Sequence, residues 1–422
     1  MSVTFASSRL AGELIAPASK SQSHRQMICA GLSHGQTRLS HFMTSDDTHA
    51  TALCLMSLGS SVKEEDQSLV IDGFAHKWDL LPVFPCGESG STLRFFVPLA
   101  MAICGGGRFS LRGNLARRPM DVYRDLFVPR GASWHMSEGT DGAATLTVAG
   151  RLSAGEYVLP GNVSSQFVSG LLFALPLLPT ASTLRVIPPV ESAAYIDMTI
   201  QALEESGIAV EHTDTYTYRI PGLQNYQAKD SEIEGDWSQA AVYLCADALG
   251  AEVWVRGLRE DSVQGDREVL SCLEKMGARV VRDHGRIRVE ADTLHGVDLE
   301  LSGTPDIAPI LALCCQLASG ESRLRGCGRL RVKECDRLAG TVEILNRLGG
   351  DAREEGDDIV IRGVSSLKGG EVSTFRDHRM IMLVSMAAMV CEGPVYADDV
   401  SALSKSWPEY LDVYRRLGGQ WA

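Results

Sequence analysis

A unit that recurs about every 70 residues constrains this chain more than any other feature of its sequence. Six times, a helical pattern ends on a glycine and is followed by a short strand-like segment. Successive glycines are 72, 76, 70, 72 and 69 residues apart, and they are Gly59, Gly131, Gly207, Gly277, Gly349 and Gly418. A spacing this regular predicts six copies of one β/α unit.

A second series of segments supports the repeat. Each unit holds a polar or glycine-containing loop followed by a helix that is apolar nearly all round, which predicts a buried helix. The six segments read ASKSQSHRQMICAGL, CGESGSTLRFFVPLA, GNVSSQFVSGLLFAL, GDWSQAAVYLCADAL, GTPDIAPILALCCQL and FRDHRMIMLVSMAAM. Ser, Asp and Gly before a helix are typical caps, and the free N–H groups of converging helix starts attract phosphate or carboxylate.

Each unit reads in the order strand, buried helix, strand, loop, amphipathic helix and strand. At 422 residues the chain is too long for one ordinary core, so at least two domains are expected, with three repeats in each. The repeat count places the crossing between them near residues 233–236. We therefore predict an α/β fold of two domains, each built from three βαβαββ repeats.

The net charge of −13 argues against a general nucleic-acid or membrane-surface binder, because an acidic protein repels phosphate backbones and anionic lipids. An anionic substrate would need a local basic pocket. The eleven cysteines form no C-x-x-C pair, which is typical of reduced thiols. The N-terminus lacks a basic and apolar leader, and the apolar run from Phe167 to Leu178 is too short to span a bilayer. We expect a cytoplasmic protein that binds neither nucleic acid nor membrane.

The first two buried helices begin with loops that suit an anion. In SKSQSHR, Ser21 and Arg25 are four residues apart and share a helix face, and Lys20 lies at the start of the helix. In GESGSTLR, glycines such as Gly90 offer backbone N–H groups, and Arg94 follows one turn later. A solvated helix cap is the simpler interpretation of either loop taken alone.

Three further segments add polar groups. RRPM supplies Arg118 and predicts the start of an amphipathic helix, with Pro119 in its first turn. ESAAYID places Ser192 and Tyr195 three residues apart, where both can line one wall. VSSQF begins the third buried helix with hydroxyl and amide groups, on Ser164, Ser165 and Gln166.

The densest cluster of charges is RLRVKECDR. Lys333 and Arg337 are four residues apart, so on a helix they share a face, which is unfavourable unless an anion lies between them. Glu334 beside them is a candidate for proton transfer. A solvated helix with ion pairs is an equally good interpretation.

The remaining loops complete the set. Asp306 stands at the start of the fifth buried helix, where a helix cap is its simplest role. His378 and Arg379 stand at the sixth, and Lys405 lies in the last loop. The fourth buried helix begins with GDWSQ, which adds no cation, and we expect it to be mainly structural. Together, these equivalent positions indicate an enzyme for small substrates with several negative charges.

In this order, the motifs resemble those of the enolpyruvyl transferases over essentially the whole chain. They are SKSxSxR, GxSGSTxR, RPM, SSQF, Ser-x-x-Tyr-Ile-Asp, EGDxS, QGD, PD, RVKExDR, DHRM and SKSWP. RVKExDR together with DHRM is highly specific. The resemblance implies an inside-out α/β barrel in each domain, with residues 1–18 and 235–422 in one, residues 19–234 in the other, and an active site in the cleft between them.

The resemblance also implies a reaction: phosphoenolpyruvate donates its enolpyruvyl group to the 5-hydroxyl of shikimate 3-phosphate, on the route to chorismate, with no metal or cofactor. Shikimate 3-phosphate would be bound by Ser21, Arg25, Ser164, Ser165, Gln166, Ser192, Tyr195, Asp306 and Lys333. Phosphoenolpyruvate would be bound by Lys20, Gly90, Arg94, Arg118, Gln166, Glu334, Arg337, Arg379 and Lys405. The catalytic groups that move protons would be Asp306, Glu334 and Lys20.

Both substrates carry a phosphate and a carboxylate, so eight matched lysines and arginines would form a positive cleft in an acidic protein. Like charges in both halves should hold the domains apart until the anions bind. Two positions depart from the common family pattern, since Glu88 and Arg329 stand where many members have asparagine.

Two other functions stay open. A cell-wall relative transfers enolpyruvyl to a UDP-sugar, but it usually carries a reactive cysteine in the loop that reads NLARRPM here. Six β/α repeats in an acidic chain could also form a clamp around DNA. A clamp, however, places its basic residues on the inner helices of a ring, whereas SKSQSHR and RVKECDR lie at loop mouths. We expect a monomeric enzyme with two small-molecule substrates.

Overall fold

The computed structural model describes residues 2–66, 68–73, 81–139 and 142–422. The chain divides into two compact units. The first unit consists of Met1–Pro17 and Glu234–Ala422, and the second unit is Ala18–Ile233.

Within the described residues, each unit contains six α-helices. In the second unit they are α1 (Lys20–Leu32), α2 (Asp46–Ser57), α3 (Gly90–Cys104), α4 (Asp121–Phe127), α5 (Ser165–Ala174) and α6 (Ala194–Glu205). In the first unit they are α7 (Trp237–Ala248), α8 (Val269–Lys275), α9 (Ala308–Gln316), α10 (Arg337–Arg347), α11 (His378–Val390) and α12 (Tyr410–Arg416).

The helices alternate between two kinds, as the sequence predicts. In both units the odd-numbered helices are buried along most of their length, and every residue of α7 and α9 is buried. The even-numbered helices bury one face only; in α10, for example, Leu338, Ile344 and Leu345 are buried while Arg347 is exposed. The prediction of six buried helices is therefore confirmed.

The described residues form six four-stranded sheets of one design, in which the first and second strands pair in parallel and the other pairs are antiparallel. In spatial order, the sheets of the second unit are Ser231–Glu232, Gln36–Ser40, Ser68–Asp72 and Ser61–Glu65; Val83–Gly87, Gly106–Leu111, Ala144–Ala149 and Ser133–Glu138; and Glu156–Pro160, Ser182–Ile187, Thr217–Ile220 and Glu211–Asp214. Those of the first unit are Ala11–Ile15, Glu252–Arg256, Arg286–Glu290 and Arg279–Asp283; Asp298–Glu300, Glu321–Arg325, Asp358–Arg362 and Asp351–Glu355; and Gly370–Val372, Val395–Ala397, Val3–Ala6 and Gln420–Trp421. A short parallel pair joins Ser33–His34 to Tyr226–Gln227.

The sheets of three repeats each include one strand from a distant part of the chain. Ser231–Glu232 follows the third repeat but pairs with Gln36–Ser40 of the first. At the N-terminus, Ala11–Ile15 pairs with the fourth repeat and Val3–Ala6 with the sixth. The sequence pattern does not predict this exchange, because strands of two to five residues carry too little periodicity to show their partners.

The repeated glycines stand where the sequence places them. All six have positive φ, between +77° at Gly207 and +103° at Gly418. This left-handed conformation ends a helix at low cost only for glycine, which explains why the residue recurs with the repeat. All eleven cysteines are free thiols.

Each unit has its own aromatic core. In the first unit, Trp407 packs edge-on against Tyr410 with ring centroids 5.3 Å apart, and Tyr243 lies beside both. In the second unit, Phe84 stacks on Phe109 at 5.0 Å. These cores fix the buried helices and so the loops at their starts.

Candidate active site

The buried helices of the second unit begin with capped N-termini. The side chains of Ser19, Ser89 and Ser164 accept hydrogen bonds from backbone N–H groups in the first turns of α1, α3 and α5. All three serines are buried. The predicted cap chemistry is therefore confirmed, and it fixes the residues that follow each cap.

Arg25 is a buried cation whose hydrogen-bond partners, among the residues that the structure describes, are all uncharged. Its guanidinium donates to the Ser21 carbonyl at 2.6 Å, to the Tyr195 carbonyl at 2.7 Å and to the Thr199 hydroxyl at 2.9 Å. The Phe95 ring lies 5.6 Å away. Burial lowers the pKa of Arg25 to about 10. A buried charge without a counter-ion is costly, so this position favours an anionic ligand.

Lys20, at the start of α1, is held by a carboxylate. Its Nζ lies 2.9 Å from Oδ2 of Asp47, near the start of α2, and both side chains are mostly buried. Asp47 was not among the residues predicted for the site. It follows the N-cap Ser45 of α2, so its sequence context indicates an ordinary first-turn acid and gives no sign of its partner.

Arg94 links α3 to the start of α5. Its guanidinium donates to the Gln166 side-chain oxygen at 2.6 Å and to the Pro119 carbonyl at 3.1 Å. The Gln166 amide in turn donates to the Ser91 hydroxyl at 2.8 Å. The structure thus brings together two of the predicted loops, GESGSTLR and VSSQF.

Arg118 lies against the glycine loop. A Cβ placed on Gly90 would stand 2.7 Å from Nη1 of Arg118, so a side chain at this position would displace the guanidinium. The helix predicted from RRPM begins later than expected: α4 starts at Asp121, and Pro119 precedes its N-cap, Met120. Arg118 therefore lies in the connection before α4, and its side chain reaches the start of α3.

The ESAAYID segment lies beside Arg25. Ser192 is buried and has φ +54°, which is uncommon outside glycine, and its carbonyl accepts from the Tyr195 N–H at 3.1 Å. The Tyr195 ring lies 5.9 Å from the Arg25 guanidinium. The prediction that both residues line one wall is compatible with this turn.

In the first unit, charged residues gather around Asp306. Its Oδ1 lies 2.8 Å from Nζ of Lys333 and 3.0 Å from Nη1 of Arg337. Arg337 also contacts Glu334 at 2.7 Å and Asp377 at 2.7 Å. Asp377, the fully buried N-cap of α11, was missed from the sequence because capping alone explains an aspartate there.

Two expectations about this cluster are wrong in detail. Lys333 and Arg337 do not share a helix face, because α10 begins at Arg337, whereas Lys333 has an extended backbone and directly follows the 3-10 turn Gly328–Val332. Asp306 is not a side-chain helix cap, since it lies within the 3-10 turn Pro305–Ile307. The two cations nevertheless meet, and Asp306 is the anion between them.

Electrostatics keep Asp306 ionised. Burial alone would raise its pKa, but the charges of Lys333, Arg337 and Arg379 hold the pKa of Asp306 well below its usual value. The pKa of Arg337 is raised, because the attraction of Asp377, Glu334 and Asp306 exceeds the effect of burial.

Arg379, in the first turn of α11, is buried against α7. Its guanidinium donates to the Ser238 carbonyl at 2.7 Å and also to the Ser238 hydroxyl. Its backbone N–H donates to Asp377 at 2.8 Å. Lys405 ends the 3-10 turn Ser401–Lys405 in the same unit, directly before the fully buried Ser406.

The two positions that depart from the family pattern lie next to these groups. The Glu88 carboxyl carbon is 2.5 Å from where a Cβ on Gly113 would stand, in the turn that leads to Arg118. The positive charge of Arg329 contributes, after burial, to a lowered pKa of Lys333.

The predicted residues therefore form one set in each unit. The second unit holds Lys20, Ser21, Arg25, Gly90, Arg94, Arg118, Ser164, Ser165, Gln166, Ser192 and Tyr195, and the first unit holds Asp306, Lys333, Glu334, Arg337, Arg379 and Lys405. In the part of the chain that the structure describes, no group of three or more His, Cys, Asp or Glu side chains is placed to hold a metal ion. None of the described helices combines the length and apolar character needed to cross a membrane.

Comparison with solved structures shows the fold. An EPSP synthase from Acinetobacter baumannii superposes with a TM-score of 0.82 at 23% identity, covering 100% of this chain and 99% of that one. An enolpyruvyl transferase from Streptomyces tendae superposes with a TM-score of 0.79 at 17% identity, covering 100% and 98%. The predicted two-domain α/β architecture of this fold is confirmed.

Sequence comparison is more specific. The family model for EPSP synthase (3-phosphoshikimate 1-carboxyvinyltransferase) matches residues 5–414. A 3-phosphoshikimate 1-carboxyvinyltransferase from Clostridioides difficile is 38% identical across 98% of this chain and 96% of its own. One from Clostridium botulinum is 39% identical across 97% and 96%. With a family model and relatives that match nearly its whole length, this chain belongs to the EPSP synthase family.

Proposed function

We propose that this chain transfers the enolpyruvyl group of phosphoenolpyruvate to the 5-hydroxyl of shikimate 3-phosphate, forming 5-enolpyruvylshikimate 3-phosphate and phosphate. The observation that carries the proposal, within this family, is the cluster of the partly buried Asp306, Lys333 and Glu334 around the buried Arg337. It combines cations for the anionic groups of the substrates with two carboxylates for proton transfer.

Shikimate 3-phosphate binds to hydroxyl, amide and cationic groups. Arg25, whose partners are uncharged, keeps its full charge for the phosphate or carboxylate. The buried serines at the start of α5 supply hydroxyl and N–H donors at a positive helix end. The binding set is Ser21, Arg25, Ser164, Ser165, Gln166, Ser192, Tyr195, Asp306 and Lys333.

Phosphoenolpyruvate binds mainly to arginines and lysines. The guanidinium fork matches carboxylate and phosphate, and the approach of Arg118 to Gly90 leaves backbone N–H groups beside a cation. The binding set is Lys20, Gly90, Arg94, Arg118, Gln166, Glu334, Arg337, Arg379 and Lys405.

The reaction is an addition followed by an elimination. The terminal methylene of phosphoenolpyruvate takes a proton, the adjacent carbon becomes cationic, and the 5-hydroxyl oxygen attacks that carbon as it loses its own proton. The resulting methyl group then returns a proton, and phosphate leaves with the electrons of its C–O bond. Each step needs an acid and a base.

Asp306 takes the hydroxyl proton, and Glu334 or Lys20 serves the methylene carbon. The three cations that lower the pKa of Asp306 make it a weak base in the free protein. Substrate anions bound to Lys333, Arg337 and Arg379 would offset those charges. The pKa of Asp306 would then rise towards the range in which a carboxylate accepts a proton readily.

Replacing either carboxylate should slow the chemical step. General acid–base groups contribute about 10²–10⁴ in rate, so Asp306→Ala and Glu334→Ala are each expected to lower kcat by about that factor. Single-turnover kinetics on the folded variants measure this effect. Near wild-type turnover in both variants would contradict the assigned roles.

The function itself is tested by phosphate release. Purified protein with phosphoenolpyruvate should release phosphate only when shikimate 3-phosphate is present, and not when a UDP-sugar replaces it. Release with the UDP-sugar alone would assign the chain to the other reaction of this fold. No release with either acceptor would refute enolpyruvyl transfer.

A further inference from the structure

We infer that Ser238 and Gln239, at the start of α7, are positioning residues for the phosphoenolpyruvate-binding groups of the first unit. Ser238 orients the Arg379 guanidinium, and Gln239 holds the segment that follows Lys405. The inference rests on the proposed function, in which Arg379 and Lys405 bind phosphoenolpyruvate.

Ser238 fixes Arg379 from two directions. The guanidinium donates one bond to the Ser238 carbonyl at 2.7 Å and another to its hydroxyl, so the plane of the fork cannot rotate without breaking both. Both side chains are buried. Arg379 is therefore held in one orientation before any ligand binds.

The choice of serine has an electrostatic consequence. Among the residues that the structure describes, the hydrogen bonds of the Arg379 guanidinium go to the carbonyl and hydroxyl of Ser238, and its Nε has no hydrogen-bond partner. A carboxylate in place of Ser238 would orient the guanidinium equally well but would neutralise it. A hydroxyl and a carbonyl orient the cation and leave its charge for an anion.

Asp236 fixes Ser238 in turn. The Ser238 hydroxyl donates to Oδ1 of Asp236 at 2.6 Å, and the same oxygen accepts the Gln239 N–H at 3.0 Å as the N-cap of α7. The serine hydroxyl thus donates to the cap and accepts from the arginine. Its position is set by a rigid helix start.

Gln239 makes the second connection. Its side-chain amide donates to the Ser406 hydroxyl at 2.7 Å, and both residues are almost completely buried. Ser406 directly follows Lys405. The start of α7 therefore contacts both segments that carry the predicted phosphoenolpyruvate-binding cations of the last repeat.

These contacts give the fourth buried helix, which was expected to be mainly structural, a specific role in supporting the site. GDWSQ supplies no cation, but Asp236, Ser238 and Gln239 form a hydrogen-bonded support for Arg379 and Ser406. The sequence could not show this, because the partners are about 140 and 167 residues away along the chain.

Steady-state kinetics on Ser238→Ala test the inference. Loss of a hydrogen bond to a charged group should raise KM for phosphoenolpyruvate about ten-fold or more, with a smaller change in kcat. KM for shikimate 3-phosphate should stay within about two-fold, and Ser238→Thr, which keeps the hydroxyl, should recover most of the loss. Gln239→Leu and Ser406→Ala should each raise the same KM, and the double variant should be no worse than the worse single one.

Ser385→Ala is the matched control. Ser385 is a buried serine of α11 whose hydroxyl bonds Met382 and Tyr410, away from these cations. This variant should lower Tm without raising KM for phosphoenolpyruvate. If the wild-type protein is active, two results would overturn the inference but not the proposed function. One is an unchanged KM for phosphoenolpyruvate in Ser238→Ala, and the other is an equal rise of that KM in Ser385→Ala. A wild-type protein without turnover would overturn the proposed function, and the inference with it; should Ser238→Ala not fold, Ser238→Cys replaces it.

Discussion

At the scale of single residues, the buried cations fall into two classes. Lys20 and Arg337 are paired with carboxylates, whereas Arg25 and Arg379 are oriented by carbonyl and hydroxyl groups. A paired cation is already partly neutralised, but a cation held by neutral dipoles keeps its attraction for an anion. The second class is therefore expected to contribute most to binding of the charged substrates.

Arg25→Lys should weaken binding of shikimate 3-phosphate by about ten-fold or more, because a lysine cannot reproduce the planar fork. The ligand should raise Tm of the wild-type protein by mass action and raise Tm of the variant much less at the same concentration. Thermal unfolding with and without shikimate 3-phosphate measures both shifts.

Arg130→Lys is the control for this experiment. Arg130 also donates to two backbone carbonyls, those of Leu126 and Glu156, and lies over the Tyr157 ring, but it is not among the predicted site residues. Its variant should keep the full ligand-induced shift. A full shift in Arg25→Lys as well would contradict the role of Arg25.

The contacts of the acidic residues were only partly predictable from the sequence. RVKECDR indicates a carboxylate among cations, and the structure places Glu334 and Asp306 there. The sequence cannot show that Asp306 lies between Lys333 and Arg337, because that contact depends on where α10 begins. Asp47 and Asp377 look like ordinary helix-start acids until their partners are seen.

At the scale of elements, the two ends of a buried helix have different roles. The N-terminal ends carry the site groups, and the C-terminal end of α7 is hydrogen-bonded to its sheet. In α7, Asp247 is almost completely buried and accepts the backbone N–H groups of Val253 at 2.7 Å and Val289 at 3.2 Å. Burial raises the pKa of Asp247 to about 8.

Asp247 should make stability fall with rising pH. Its folded-state pKa lies above its ordinary value of 3.8, so its contribution is full below about pH 4 and declines as pH rises towards 8. Asp247→Asn should remove this decline. Urea unfolding at pH 5 and pH 8 measures the stability of the two proteins. Asp292→Asn, at an exposed position, is the control and should keep the decline in stability. If the free energy of unfolding depended on pH identically in Asp247→Asn and in the wild type, the pKa of Asp247 would not be raised in the folded state.

At the scale of the whole molecule, the repeat predicts the fold well because glycine at each helix end and apolar residues all round each buried helix are local features. The exchange of strands is not local. Val3–Ala6 lies between Val395–Ala397 and Gln420–Trp421, so the first residues of the chain complete a sheet near its end.

Phe5→Ala should therefore destabilise the first unit and spare the second. Phe5 is fully buried and packs edge-on against Tyr414 at 5.8 Å, and its loss should cost about 3–5 kcal/mol. Hydrogen exchange should accelerate in residues 395–397 and 420–421, but not in 20–32. Phe109→Ala, a fully buried phenylalanine of the second unit, should show the reverse pattern. Faster hydrogen exchange of residues 20–32 in Phe5→Ala would contradict the expectation that the two units lose stability separately.

Enolpyruvyl transfer requires the protein to break the C–O bond of phosphoenolpyruvate. Phosphoenolpyruvate labelled with a heavy oxygen isotope at the bridging position, incubated with shikimate 3-phosphate and the protein, tests this directly by mass spectrometry of the products. We expect the label in the released phosphate and an enolpyruvyl group on the acceptor. Label retained in pyruvate, with a phosphoryl group on the acceptor, would contradict it.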